Sequence, residues 1–258
     1  MKTEVVTMLA CVGHSQMLGI TLDNNHSLLK HIYVCTKPDD NDTKNVCSKY
    51  KNVTVVEHDF LLPVTYFKTH QKRYEIGGMN NPAKTFKTDE DMQKKIDLWN
   101  SKGNIFNRGG AIRKCQELAN QQFHNHIHLH LDVDIMLPDK FVDVINDTQI
   151  EPHVLYVPSG RRDYKCMKSY KKQSGYTKKY ARSGFGFFQL YRFPDRYIYH
   201  DDYKNTLKHD VWFRDDIMRF SGKKDSNRKK ILPFNVDHLG TDGKGLHQQG
   251  EYMPPFIF

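Results

Sequence analysis

The stretch HIHLHLDVDIMLP, His126 to Pro138, limits what this chain can fold into more than any other. Ile127, Leu129, Leu131 and Val133 alternate along it with His126, His128, His130, Asp132 and Asp134. A period of two specifies a β-strand, here with one apolar face and one face of imidazoles that ends in two carboxylates. The carboxylates fall where the strand runs out, just before Pro138. In an open α/β sheet the carboxyl ends of the strands are where ligands bind. The rest of the chain reads as scaffold and accessory to that strand end.

Three short apolar runs precede it: Val5–Val12, Leu28–Cys35 and Val53–Glu57. Gly13, His14 and Ser15 read as a loop after the first, and a weak helix fits between the second and third. Strands alternating with connecting segments predict βαβ units, hence a mostly parallel sheet flanked by helices. Residues 61–83 carry the breakers Gly77-Gly78 and Asn81-Pro82. Thr88 is placed to cap a helix with Met92, Ile96 and Trp99 on one face. A second helix is predicted after Arg108-Gly109-Gly110, presenting Ala111, Ile112, Cys115, Leu118 and Ala119 to a sheet. Beyond Pro138 the pattern predicts strands at Val154–Val157, Phe185–Tyr191 and Ile231–Val236, and a helix over His209–Phe220. No internal repeat or low-complexity linker divides the chain. Its 258 residues read as a single domain, with a soft boundary near Pro138 between residues 1–138 and 139–258.

Charge is concentrated rather than spread. Residues 161–182 hold nine Lys/Arg against one acid, Asp163, leaving about +1 of the +9 for everything else. Such a segment calls for an anionic partner locally, such as phosphate or nucleic acid, and argues against a chain that coats nucleic acid throughout. Tyrosines interleave with the cations there, so nucleic-acid binding is the natural rival reading, although no RNP, helix-turn-helix or zinc-finger pattern accompanies it. No apolar run approaches the roughly 20 residues of a membrane span, and no signal-peptide pattern opens the chain. Five widely spaced cysteines without a CxxC pair point to reduced thiols. A cytoplasmic location is the expectation.

Carboxylates at i and i+2 of an extended strand lie about 6.6 Å apart, whereas a hard cation sits roughly 2.1 Å from each oxygen ligand. The expected division of labour gives Asp134 the direct bond to a divalent ion. Asp132 then acts one step back, through a water or on a ribose hydroxyl. Two solvated acids at a strand end remain the plain alternative. Arg108, at a helix start, is placed to bind a diphosphate with help from the helix N-terminus, with a surface arginine as its plain alternative. His126, His128 and His130 span about 13 Å on one strand face, too far to share an ion. They read as strand-face residues beneath a helix or loop.

Five stretches carry a wider resemblance. IFNRGGAIRKCQELA followed by HIHLHLDVDIMLP, then GFGFFQLYRFPD, HDVWFRDDI and ILPFNVDHLG, in that order over most of the chain, resemble the blocks of the GT-A fold, nucleotide-sugar-dependent glycosyltransferases of the family 2-like kind. The resemblance implies a GT-A-like, Rossmann-like α/β fold with a smaller mixed sheet on the acceptor side. Residues 1–138 would bind the nucleotide sugar and 139–258 the acceptor. It implies a DxD metal site in which Asp134, Asp132 and His238 hold Mn2+ or Mg2+. An imidazole ligand suits Mn2+ better than a purely Mg2+ site. It implies donor contacts from Ala10, Thr36, Arg108, Asp132 and Val133. Asp210 would be the base that takes the acceptor-hydroxyl proton in an inverting transfer; as a side chain just ahead of VWF it is also a normal helix cap. One block departs from the pattern: laid without gaps, VCTKPDDNDT puts Thr36 and Lys37 where the family's base-binding Asp pair would stand.

The expected activity is metal-dependent transfer of a sugar from a nucleoside-diphosphate sugar to a glycan or other hydroxyl acceptor. The alternatives are a nucleotidyltransferase on a related sheet, which would release pyrophosphate from a nucleoside triphosphate, and a basic nucleic-acid-binding protein.

Overall fold

The computed structural model describes residues 3–58, 75–76, 79–80, 88, 90–91, 94, 108–164, 166–179, 186–192, 213–217 and 229–240. The three N-terminal apolar runs form β1 (Val5–Ala10), β2 (His31–Thr36) and β3 (Val53–Glu57). Helices α1 (Ser15–Asn25) and α2 (Asn41–Cys47) join them. A helical crossover returns the chain to the same end of the sheet, so these strands run parallel, with Val6 opposite His31 and Ile32 opposite Val53. Two two-residue strands, β4 (Glu75–Ile76) and β5 (Met79–Asn80), pair among the described residues only with each other. Helix α3 (Arg108–Phe123) then feeds β6 (Ile127–Leu131), which lies parallel to β1 on the side away from β2.

The remaining strands continue the same sheet. They are β7 (Ile135–Met136), β8 (Leu155–Tyr164), β9 (Tyr176–Lys179), β10 (Phe188–Tyr191) and β11 (Lys229–Leu239), with α4 (Phe141–Asp147) and α5 (Met167–Lys171) between them. The strand order is β3-β2-β1-β6-β10-β8-β11-β7, with β9 on β8. β10 runs antiparallel to β6 and β8, β11 parallel to β8, and β7 antiparallel to β11. The architecture is α/β and Rossmann-like: a parallel half of βαβ units passes through β10 into a mixed half.

Burial explains why the first strands read as unbroken apolar runs. Val5, Leu9 and Cys11 pack with Leu18 and Leu22 of α1 and Cys47 of α2. Val6 and Met8 face the other way, onto Ala111, Cys115 and Ala119 of α3. Both faces are covered, as a parallel sheet requires. The imidazole face of β6 is covered too: His128 is 0% and His130 2% exposed. His130 Nε2 lies 3.0 Å from the Tyr191 hydroxyl, which accepts a hydrogen bond from Gln116 Nε2 of α3 at 2.9 Å. Burial holds the His130 imidazole far below its usual pKa, hence neutral.

Several boundaries differ from the sequence pattern. Residues 15–25 are a helix where Ser15 was expected to belong to a loop. β2 starts at His31 because Leu28 turns back, its amide donating to Asn25 O at 3.1 Å. β8 and β11 run well past Val157 and Val236 because they pair with each other from Leu155–Lys229 to Tyr164–Leu239. The described part of the basic segment is a strand–helix–strand unit, β8–α5–β9, with Asp163 opposite Tyr176. Gly175 precedes β9 where an added Cβ would sit 2.6 Å from the ring of buried Tyr164, so only a residue without a side chain fits against that ring. Residues 61–74, most of the helix expected from Thr88 and most of His209–Phe220 lie outside the described residues; 213–217 are helical. All five cysteines are unpaired, and no described helix is long and apolar enough to cross a membrane.

Candidate active site

The chain leaves β1 toward β2 on one side, while β6 joins on the other. At such a divergence the connecting segments part and leave a crevice beyond the carboxyl ends of the strands. Thr36, Ala10 and Leu131 are the last residues of the three adjacent strands β2, β1 and β6. The loop before α1, Asp40 at the head of α2, and the Asp132–Asp134 turn therefore share this end of the sheet.

The DVD triplet is bent. β6 ends at Leu131, and Ile135 N donates to Asp132 O at 3.2 Å, closing a turn. The extended spacing expected for the two carboxylates does not apply, but they still part. Asp132 N donates to Phe187 O at 3.0 Å, and the Asp132 carboxylate is ion-paired with Arg108, the first residue of α3. Arg108 also donates to Gly186 O at 3.4 Å. Asp134 meets His238 instead. Helix α1 pins the turn from below. Thr21 Oγ1 donates to Val133 O at 2.8 Å, and Asn25 Nδ2 to Ile135 O at 2.8 Å. Leu137 N donates to Asn25 Oδ1 at 2.9 Å, and Asn24 Nδ2 to Leu137 O at 2.9 Å. On the other side Leu239 N donates to Asp134 O at 2.9 Å, which brings the end of β11 to the turn.

The result is a row of four charged groups. His238 Nε2 lies 3.1 Å from Asp134 Oδ2, and its Nδ1 lies 2.9 Å from Asp163 Oδ1. Arg161 is ion-paired with Asp163: Nη2 donates to Oδ2 at 3.2 Å, and Nε lies 2.7 Å from Oδ1 without hydrogen-bond geometry. Asp163 and His238 are only 8% and 11% exposed in their side chains. Burial pulls the imidazole pKa down, but the two carboxylates outweigh it and raise His238 to about 9. Burial opposes ionisation of Asp134 and Asp163 as well, yet His238 and Arg161 hold both carboxyls below their ordinary range.

Does this row fit a divalent cation? Asp134 Oδ1 is buried and has no hydrogen-bond partner among the described residues, which leaves it an acceptor to spare. Two ligands about 2.1 Å from one ion at right angles are about 3.0 Å apart, which is the separation of His238 Nε2 from Asp134 Oδ2, 3.1 Å. The same 3.1 Å is an N–H···O hydrogen bond in the cation-free protein, so Asp134 and His238 fit as two protein donors once a cation displaces the Nε2 proton. No group of three described His, Cys, Asp or Glu side chains forms a ready-made metal cage. Two donors leave positions for phosphate oxygens and water, the usual arrangement for a cation that works on a phosphate substrate.

The other sequence candidates divide. Thr36 is fully buried, and its hydroxyl donates to Asp40 Oδ2 at 3.0 Å. Asp40 caps α2 through Thr43 N at 3.1 Å and accepts Gly13 N at 2.9 Å. Burial opposes its charge, but these hydrogen bonds hold the Asp40 carboxyl below the usual range. Ala10, half-buried, closes β1 beside Cys35. Val133 contributes its carbonyl to Thr21. Asp210 lies outside the described residues. Phe213, three residues on, packs on His130 and Tyr191 with ring centroids 4.6 and 5.0 Å away.

Four contributors escaped the sequence reading. Asp163 was legible only as the one acid in a run of cations, and a lone acid there signals a paired one. His14, before α1, lies within reach of the charges of Asp134 and Asp40, while burial keeps its pKa low. Thr21 and Asn25 belong to a helix with no clear periodic pattern.

No protein-family model matches the sequence, and no curated protein is significantly similar to it in sequence. Among solved structures with a related chain path is 4-diphosphocytidyl-2C-methyl-D-erythritol synthase from Anaerococcus prevotii. It is 11% identical over 90% of this chain and 89% of that one, with a TM-score of 0.43. A shared path at that level carries no activity from one protein to another.

Proposed function

We propose that the chain is a cation-dependent transferase acting on a nucleotide-activated donor, with sugar transfer from a nucleoside-diphosphate sugar to an acceptor hydroxyl as its reaction. The observation that carries this is the meeting of Asp134 with His238, 104 residues apart in sequence, at the carboxyl end of the sheet. Asp134 and His238 would hold Mn2+ or Mg2+. A bound divalent ion supplies charge neutralisation to the diphosphate as it leaves. Arg108 would turn from Asp132 to a phosphate oxygen, freeing that carboxylate for a ribose hydroxyl. Ala10, Thr36 and Val133 would line the donor side, and Asp210 would take the acceptor proton.

Nucleotidyl transfer is the second reading, and it uses the same half of the site. Two guanidinium groups, Arg108 and Arg161, flank the carboxylates, a supply of positive charge that suits a triphosphate. The products separate the two: a nucleoside diphosphate for sugar transfer, pyrophosphate for nucleotidyl transfer.

The test is a thermal-shift panel of nucleotide sugars and nucleoside triphosphates with and without Mn2+, followed by product analysis for each compound that binds. Binding to the folded state raises the melting temperature by mass action. A metal-dependent shift that disappears in Asp134→Asn is expected. If no compound shifts the protein in the presence of Mn2+, the proposal is wrong.

A further inference from the structure

We propose that Asp163, clamped by Arg161, is the positioning residue that fixes the tautomer and orientation of His238, so that its Nε2 faces the cation position beside Asp134. The inference rests on the cation site proposed above and adds a residue outside the DxD and histidine pattern.

Three observations converge. First, β8 and β11 run parallel with Asp163 directly opposite His238, so the contact is built into the sheet register and not into a mobile loop. Second, Asp163 is itself immobilised. Arg161 pairs with it through an Nη2 hydrogen bond and a close Nε contact, and the Arg161 guanidinium sits over the Phe187 ring, 5.0 Å from its centroid. Phe187 in turn holds Asp132 through its carbonyl, so the chain of contacts closes on the DVD turn. Third, Gly240 lies close enough to the imidazole that a Cβ there would be 3.0 Å from Cε1 and 3.1 Å from Nε2, so a side chain at 240 would crowd the ring. The ring is held by a carboxylate at each nitrogen, Asp163 at Nδ1 and Asp134 at Nε2.

A neutral imidazole has one N–H and one lone pair. In the cation-free protein both nitrogens face carboxylates and carry protons; a cation displaces the Nε2 proton, and with Nδ1–H still donating to Asp163 the lone pair is then on Nε2, the nitrogen next to Asp134 Oδ2. A carboxylate behind a ligating histidine orients it and strengthens its donation, and losing such a partner weakens metal affinity roughly 10- to 100-fold. Asp163→Asn exchanges an obligate acceptor for a side chain that can present its amide to Nδ1, which would put the proton on Nε2.

The experiment measures Mn2+ affinity of the full chain by the electron paramagnetic resonance signal of free Mn2+, with no donor present. The visible spectrum of the Co2+-loaded protein reports ligand geometry. Wild type is expected to bind. Asp163→Asn should bind Mn2+ roughly 10- to 100-fold more weakly with an altered Co2+ spectrum, at a temperature where far-UV circular dichroism shows it folded. Asp163→Glu should recover part of the affinity. Gly240→Ala, which displaces the ring and leaves Asp163 in place, should also weaken binding; it keeps the test open should Asp163→Asn fail to fold. Wild-type binding with Asp163→Asn and Gly240→Ala both within twofold of it overturns this inference and leaves the cation site standing. No binding by wild type overturns both.

Discussion

In the cation-free protein His238 stands between two carboxylates, with a nitrogen 2.9 Å from one and 3.1 Å from the other, so both nitrogens carry protons. Folding therefore takes up a proton near neutral pH. The pKa rises from 6.5 in the unfolded chain to about 9 in the fold. A group whose folded pKa is raised gives its full stabilisation below the unfolded value, and loses it as pH climbs through the folded value. The window is pH 6.5 to about 9. At 1.36 kcal/mol per unit, the shift corresponds to about 3 kcal/mol. The assay is urea unfolding of chelator-treated protein at steps from pH 6 to pH 9.5, read by circular dichroism. Buried thiols confuse the upper end: burial pushes Cys11 and Cys47 up to about 12, so the unfolded chain ionises them first and stability falls further above pH 9. Comparison with His238→Gln removes that contribution. Wild type should lose about 3 kcal/mol across the window, and the variant should start lower and stay nearly flat to pH 8.5. Equal slopes in the two proteins, or stability that rises with pH between 7 and 8.5, would refute the double hydrogen bond.

Two further outcomes follow from the scaffold. Asn25→Ala removes the partner of Ile135 O and Leu137 N; at about 1–3 kcal/mol for each buried group, the urea midpoint should fall by an amount equivalent to about 2–6 kcal/mol, and Mn2+ affinity should fall with it because the turn carrying Asp134 is released. A loss below about 1 kcal/mol would mean that the turn holds itself. Tyr191→Phe deletes a hydroxyl that binds Gln116 and His130 but touches neither Asp134 nor His238. It should cost about 1–3 kcal/mol in the same assay and leave Mn2+ affinity unchanged; weakened Mn2+ binding would show that this buried network reaches the site.

How much of this was legible differs from element to element. β3 matches its sequence pattern end to end, because Val53–Glu57 is a short β-branched run bounded by polar residues. The buried face of α3 also follows its sequence, since Ala111, Cys115 and Ala119 recur at helical spacing. α1 did not announce itself. Gly19 and the β-branched Ile20 and Thr21 break its helical pattern, and His14 makes no capping hydrogen bond with its side chain. That helix nevertheless holds the DVD turn through Thr21, Asn24 and Asn25, over sequence separations above 100 residues. The lengths of β8 and β11 were illegible for a related reason: their outer halves are polar, and the pairing partner supplies what periodicity lacks.

By itself the sequence determined the alternation that makes β6 a strand, the carboxylates at its end, and the α/β class. These follow from local periodicity, which every residue carries with it. Only the tertiary structure decided that Asp132 goes to Arg108 while Asp134 goes to His238, and that a lone acid in a basic run stands behind that histidine. Those contacts join positions 24, 104 and 75 residues apart. Their geometry is set by strand order and register, which no local pattern encodes.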